Sequence, residues 1–218
     1  MLVQLNYTEL VINMGLISNG TTLLDAGSLD GGVATGDMIL IKTLAASNSS
    51  ALSFVHGTSS VVLDGTYKEY LFKYINIHPT EVAQLVINFR DGGSNFDAVK
   101  TSTAYNPYHL ENDTDAGVIY REAWDLAQST GDQIIAQELG AADDESGSGY
   151  LHLFNPADTT FVTHFMGHTA YYQQFGGGGP FGVVYAGYCN TTTAIDGVTF
   201  KMSSGNLSTG TIKLYGIK

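Results

Sequence analysis

The chain has 218 residues, of which 44% are hydrophobic and only 14% are charged, so it is long enough for one β-rich domain but not for a second large one. Its 9 basic against 21 acidic residues give a formal net charge of -12, which excludes nucleic-acid binding through phosphate contacts, because those contacts need Lys and Arg. A single cysteine, Cys189, excludes an internal disulfide and a cysteine-built zinc site.

Residues 1–50 contain apolar residues interrupted by turn signals such as Asn19-Gly20 and Asp30-Gly31-Gly32. Two interpretations remain open: an extended arm that packs against a neighbouring molecule, or a first hairpin of the main domain. The residues predicted to bind a partner are the apolar ones of this segment, namely Leu10, Val11, Ile12, Met14, Leu16, Ile17, Leu23 and Leu24. The N-terminus lacks the marks of a secretory signal, and no apolar run predicts a membrane span, so we expect synthesis in a cytoplasm and no membrane binding.

From residue 38 onward, short runs of alternating apolar and polar residues recur at hairpin spacing and predict eight or more strands. The first runs are 38–44 and 51–55. The strongest run, 67–78, must end at Pro79, because proline cannot continue the hydrogen-bond ladder. We predict that it pairs antiparallel with the next run, 83–89.

The middle of the chain is less regular. Residues 117–128 fit either one short helix or an irregular strand, and residues 140–149 are expected to form an exposed acidic loop. Alternation returns in 150–154, 161–165 and 181–185, which we predict to be strands.

The last stretch, 194–218, consists of two alternating runs around a loop of Ser, Gly and Asn, which predicts a β-hairpin. Because strand side chains alternate between two faces, the core residues can be named. They are Tyr70, Phe72 and Tyr74, then Val198, Phe200 and Met202, and finally Ile212, Leu214 and Gly216. The predicted fold is all-β: an antiparallel β-sandwich of jelly-roll type over residues 51–218, preceded by an N-terminal arm or hairpin over residues 1–50.

Two residue patterns suggest metal binding but do not establish it. His164 and His168 share one face of a predicted strand with His152 nearby, yet residues four apart in a strand are too distant to share an ion. Asp91, Asn95 and Asp97 could place hard oxygen ligands in a turn for Ca²⁺, although a glycine turn explains the same residues. We predict no metal-ligating residue and no cofactor.

Enzymatic activity is also not predicted. The chain has no Gly-x-Ser-x-Gly elbow and no marked pair of catalytic carboxylates, which argues against a hydrolase and against a depolymerase. Cys189 lies in a strand-like run, where a free cysteine is expected to be a small buried apolar residue rather than a nucleophile. We therefore predict no catalytic residue.

Several stretches between about residue 50 and residue 218 form a distinctive combination. They are Tyr67-x-x-Tyr70-x-Phe72-x-x-Ile75-Asn76-Ile77-His78-Pro79, Asp91-Gly92-Gly93-Ser94-Asn95-Phe96, Leu151-His152-Leu153-Phe154-Asn155-Pro156, Gly187-Tyr188, and Ile195-Asp196-Gly197-Val198-x-Phe200-x-x-Ser203-Ser204-Gly205-Asn206-x-x-x-Gly210-Thr211-Ile212-x-Leu214-Tyr215-Gly216. This combination resembles a group of structural virion proteins of tailed bacteriophages, common among viruses of aquatic bacteria such as cyanophages. Residues 21–27 are similar to the leading segment of such proteins.

The resemblance implies a non-enzymatic β-sandwich protein carried on the virion. The first hypothesis is a capsid decoration (cement) protein that binds the major capsid protein on the outer surface of the head and also binds copies of itself, as a dimer or trimer. The alternative is a tail fibre or receptor-binding module in which Trp124, Tyr171 and Tyr172 stack on host glycans.

Overall fold

The computed structural model describes residues 36–174 and 178–218, together with short strands in the N-terminal segment. The strands are β1 (Leu16–Ser18), β2 (Thr21–Asp25), β3 (Ser28–Leu29), β4 (Met38–Ala45), β5 (Leu52–Val55), β6 (Glu69–Pro79), β7 (Ala83–Arg90), β8 (Lys100–His109), β9 (Ala116–Tyr120), β10 (Gln133–Leu139), β11 (Gly147–Phe154), β12 (His164–Gln173), β13 (Gly179–Cys189), β14 (Gly197–Met202) and β15 (Leu207–Ile217). Apart from one 3₁₀ turn, Glu122–Trp124, the described residues contain no helix, so the predicted all-β class is confirmed. Nothing helical in these ranges has the length and apolar character needed to span a bilayer.

The chain separates into two compact units, residues 1–39 and residues 40–218. In the first unit, β1, β2 and β3 form a three-stranded antiparallel sheet of their own. Leu16 lies opposite Leu24 in this sheet, and Asp25 lies opposite Ser28. Residues 16–18, 21–25 and 28–29 are therefore paired strands.

The main sheet has twelve antiparallel strands and nearly closes into a barrel. Eight strands follow one another in the order β4, β15, β6, β11, β12, β13, β8 and β9, and we call them the eight-stranded half. The remaining four, in the order β10, β7, β14 and β5, form the four-stranded half. The two halves join where Leu139 of β10 pairs with Gln173 of β12.

Aromatic side chains fill the space between the two halves. The ring of Phe200 on β14 lies 5.8 Å from the rings of Phe72 and Tyr74 on β6, and 6.4 Å from the ring of Phe54 on β5. All four side chains are buried. Such ring pairs add to the stabilisation that comes from apolar burial, so Phe200 is a central residue of the core.

The predicted faces of the strongest strands are confirmed. Every core residue named from alternation in β6, β14 and β15 is buried, and β6 ends at Pro79 as expected. The predicted run 161–165 is only partly a strand, because β12 begins at His164. Residues 117–128 contain both the end of β9 and the 3₁₀ turn rather than one element.

Two predicted strand pairings are wrong. The C-terminal hairpin does not form, because β14 pairs with β5 and β7 while β15 pairs with β6. Likewise, β6 pairs with β11 and β15, and β7 pairs with β10 and β14. In both places a short loop, 80–82 or 203–206, carries the chain from one half of the sheet to the other. The alternation of apolar and polar residues predicts which face of a strand is buried, but it does not predict which strand pairs with it.

Candidate interaction surface

Half of the residues predicted to bind a partner lie outside the described part of the chain: Leu10, Val11, Ile12 and Met14. Of the others, Leu16 and Ile17 belong to β1, and Leu23 and Leu24 belong to β2. The prediction that these residues bind a partner therefore stays a prediction.

A second candidate surface is formed by strands β11, β12, β13 and β8, whose alternate side chains point away from the core. We call these side chains the outer face. They are Tyr150, His152 and Phe154, then His164, Met166 and His168, then Val184, Ala186 and Tyr188, and finally Thr101, Thr103 and Tyr105. The register aligns them in rows, because Tyr150 lies opposite His168, and His152 lies opposite Met166.

The outer face is rich in aromatic rings and poor in charge. His152 stacks on Phe154 with ring centroids 6.0 Å apart, and Tyr150 packs edge-on against His152 at 5.3 Å. On the neighbouring strands, the rings of His164 and Tyr188 are 5.9 Å apart. A hydrogen bond joins His152 Nδ1 to the Glu69 carboxylate at one side of the face.

A shallow apolar groove of about 460 Å³ crosses this face. Its lining includes Phe154, His164, Met166 and Tyr188. Met166 stands near the centre of the face and is 46% exposed. An apolar surface of this kind can accept apolar side chains of a binding partner.

The sequence contains a signal for this face in the outward positions of β11. In β11 the buried Leu151 and Leu153 alternate with Tyr150, His152 and Phe154, so the outward positions also carry rings. A strand with one solvated face normally places polar residues there. The outward positions of β11 carry rings instead.

The two metal hypotheses gain no support. His164 and His168 do share the outward face of β12, as predicted, and within the described ranges no three His, Cys, Asp or Glu side chains are placed to hold one ion. Near Asp91, the side chain of Arg90 forms a bidentate pair with Asp196 at 2.8 Å, and the Gly92 N–H donates to the same carboxylate. That carboxylate is thus used to fix the turn.

The residues predicted to stack on glycans are mostly not at the surface. Trp124 is only 7% exposed and packs under the Arg121 guanidinium at 4.7 Å, and Tyr171 is 5% exposed. Tyr172 is half-buried. Two of the three proposed stacking rings are therefore core residues, a correction that follows from the inward positions of Trp124 and Tyr171.

Lys100 and Cys189 form a buried pair at the start of β8 and the end of β13, where they lie opposite each other. The Lys100 ammonium donates to the carbonyl oxygen of Gly131 at 2.7 Å. Burial lowers the pKa of Lys100 to about 8 and raises the pKa of the Cys189 thiol to about 12. Cys189 therefore remains a thiol at neutral pH, which disfavours a nucleophilic role.

The Lys100 pKa predicts a measurable pH dependence of stability. Because its folded-state pKa of about 8 lies below the ordinary value of 10.5, the unfolded chain binds more protons between these values, and stability rises with pH through that window. Lys100→Met removes this term. From pH 7 to pH 9, the free energy of unfolding of the wild type is expected to rise by about 1 kcal/mol more than that of the variant.

Urea unfolding of both proteins at the two pH values measures this difference. The buried Tyr74 and Cys189 have raised pKa values and stay protonated in both folded proteins up to pH 9, so their contributions cancel in the comparison. A difference that stays constant from pH 7 to pH 9 would show that Lys100 is not held in a low-dielectric site.

Comparison of the chain with protein families, with curated proteins and with solved structures found no match in any of the three.

Proposed function

We propose that the chain is a non-enzymatic structural protein of a phage virion, a capsid decoration protein that binds the outer surface of the major capsid shell and stabilises it. The observation that carries this proposal is the outer face, a broad surface of rings and small side chains crossed by an apolar groove. Exposed apolar surfaces of this kind are typical of protein–protein contacts, whose centres are depleted of charge and rich in Tyr, Phe and Met.

The strand order supports a jelly-roll sandwich, a fold found in capsid proteins. In an eight-stranded jelly roll, the first, eighth, third and sixth strands form one sheet, and the second, seventh, fourth and fifth form the other. Here the eight would be β5, β6, β7, β8, β9, β10, β11 and β14. The four-stranded half then matches the first of these sheets, in the order β5, β14, β7 and β10. The eight-stranded half contains the second sheet, in the order β6, β11, β8 and β9, with β12 and β13 inserted between β11 and β8.

Residues 1–50 supply a second contact in this proposal. The apolar residues named above, from Leu10 to Leu24, would lie across a shell subunit and could add strands to a sheet edge of that subunit. The partners are thus the major capsid protein and copies of this chain, with no role for nucleic acid or membrane. The protein would be made in the host cytoplasm and carried on the head.

The alternative, a tail fibre or receptor-binding module for host glycans, has one observation in its favour. Tyr105 and Tyr150 expose their rings on the outer face, where a sugar could stack on them. The apolar lining of the groove favours a protein partner instead, since sugars also require hydrogen-bonding groups.

The copy number of the chain in purified virions distinguishes these roles. Quantitative mass spectrometry against the major shell subunit is expected to give a ratio near that of the shell protein, because a decoration protein repeats with the shell lattice. A few copies per particle would favour the tail. Absence from particles would contradict both assignments.

A further inference from the structure

Strand β9 forms one edge of the main sheet and has the composition of a strand that needs a partner. Among the described residues it pairs only with β8, and all five of its residues are exposed, with Val118 at 69%. Its sequence, Ala116–Tyr120, contains no charge and no proline, and its register with β8 has no bulge. Charges, prolines and bulges are the usual means by which proteins protect an edge strand from pairing.

The hydrogen bonds to β8 show which backbone groups of β9 face the open edge. Arg121 N–H donates to the Ala104 carbonyl at 3.0 Å, and the Asp115 carbonyl accepts from Leu110 N–H at 2.9 Å. Hydrogen bonding alternates along an antiparallel strand. The backbone N–H and C=O groups of odd-numbered β9 residues therefore bond to β8, and those of even-numbered residues point to the open edge. Pro107, which has no N–H, lies opposite Val118, in agreement with this pattern.

We propose that the open edge of β9 pairs with β9 of a second copy of this chain, antiparallel and across a two-fold axis at Val118. In this register Val118 faces Val118 of the partner subunit, and Ala116 faces Tyr120 of the partner subunit. Each of these pairs has its N–H and C=O groups directed at the other strand, so all of them bond. The contact is isologous, the usual form of a dimer interface.

Charge complementarity identifies a second copy as the occupant. The same register places Asp115 opposite Arg121 of the partner subunit, and the two-fold axis repeats this pair at the other end of the contact. Both residues are at non-hydrogen-bonded positions, where side chains of an antiparallel pair approach most closely. Each is already held in place, since Asp115 accepts from the Tyr108 hydroxyl at 2.9 Å and Arg121 lies over Trp124.

This inference does not depend on the proposed function. Val118 points to the same side as Pro107 and Tyr105, so the dimer would continue the outer face from one subunit into the next. If the chain does decorate a shell, two outer faces would then bind side by side.

The test uses charge at the two-fold axis. Val118→Lys and Val118→Glu each place like charges opposite each other in a dimer. Both variants are expected to fold, because the backbone groups of residue 118 point away from β8 and its side chain is 69% exposed. The wild-type chain is expected to have twice its mass of 23.3 kDa in light scattering after gel filtration. Each charged variant alone is expected to lose the dimer, and an equimolar mixture of the two is expected to recover it.

Recovery in the mixture cannot arise from misfolding, because a misfolded variant would not regain a defined dimer. Val118→Thr, which keeps the strand propensity and adds no charge, serves as the matched control and should remain dimeric. A monomeric wild type would overturn the proposal and leave the edge for a strand of another protein. A dimeric lysine variant, or a mixture that stays monomeric, would also overturn it.

Discussion

Replacing Phe200 with alanine is expected to lower the free energy of unfolding by about 3 to 5 kcal/mol. Phe200 is fully buried between the two halves of the sheet, where its ring contacts Phe54, Phe72 and Tyr74. Alanine would remove these contacts and leave a cavity that the surrounding side chains fill only in part. Chemical denaturation followed by tryptophan fluorescence measures the loss, since Trp124 is buried in the same unit.

Phe161→Ala is the matched control, because it makes the same substitution at a side chain that is 71% exposed. Its expected effect is about 0.5 kcal/mol or less. Equal losses for the two variants would contradict the core assignment, and so would a Phe200→Ala protein as stable as the wild type.

Met166→Asp is expected to weaken binding to purified capsid shells by about tenfold or more, because a carboxylate buried at an apolar contact without a partner is costly. Met166 lies at the centre of the outer face and is largely accessible, so the folded structure should tolerate the change. Co-sedimentation of the variant with shells, at a series of protein concentrations, gives the affinity.

Ser53→Asp adds the same charge on the outward side of the four-stranded half and is expected to leave shell binding unchanged. This control separates an effect of the outer face from a general effect of negative charge on a chain that already carries -12. Unaltered binding by Met166→Asp would remove the outer face from the proposed contact.

The sequence predicts buried faces well and neighbours poorly. Val198, Phe200 and Met202 were identified because alternation is a local property of one strand. The partner of that strand depends on how loops 80–82 and 203–206 cross between the halves, and neither loop has a residue pattern that specifies a crossing. Hairpin spacing favours sequential pairing, which this topology avoids at both places.

Strand β8 was not predicted at all. Its inward positions carry Lys100, Ser102, Ala104 and Asn106, all buried, while Tyr105 faces outward. The inward positions of β8 are thus mainly polar, the reverse of the usual pattern. Only the tertiary contacts that surround Lys100 show that β8 is a strand of the core. The outer face was missed for a related reason, because its residues come from four strands whose order the sequence does not give.

Saturation binding of the full chain to purified capsid shells is the direct test of the proposed decoration role. We expect saturable binding at a fixed ratio to the shell subunit, and loss of that binding when residues 1–35 are deleted while the main sheet remains folded. Failure of the full chain to bind shells, or undiminished binding without residues 1–35, would contradict this role.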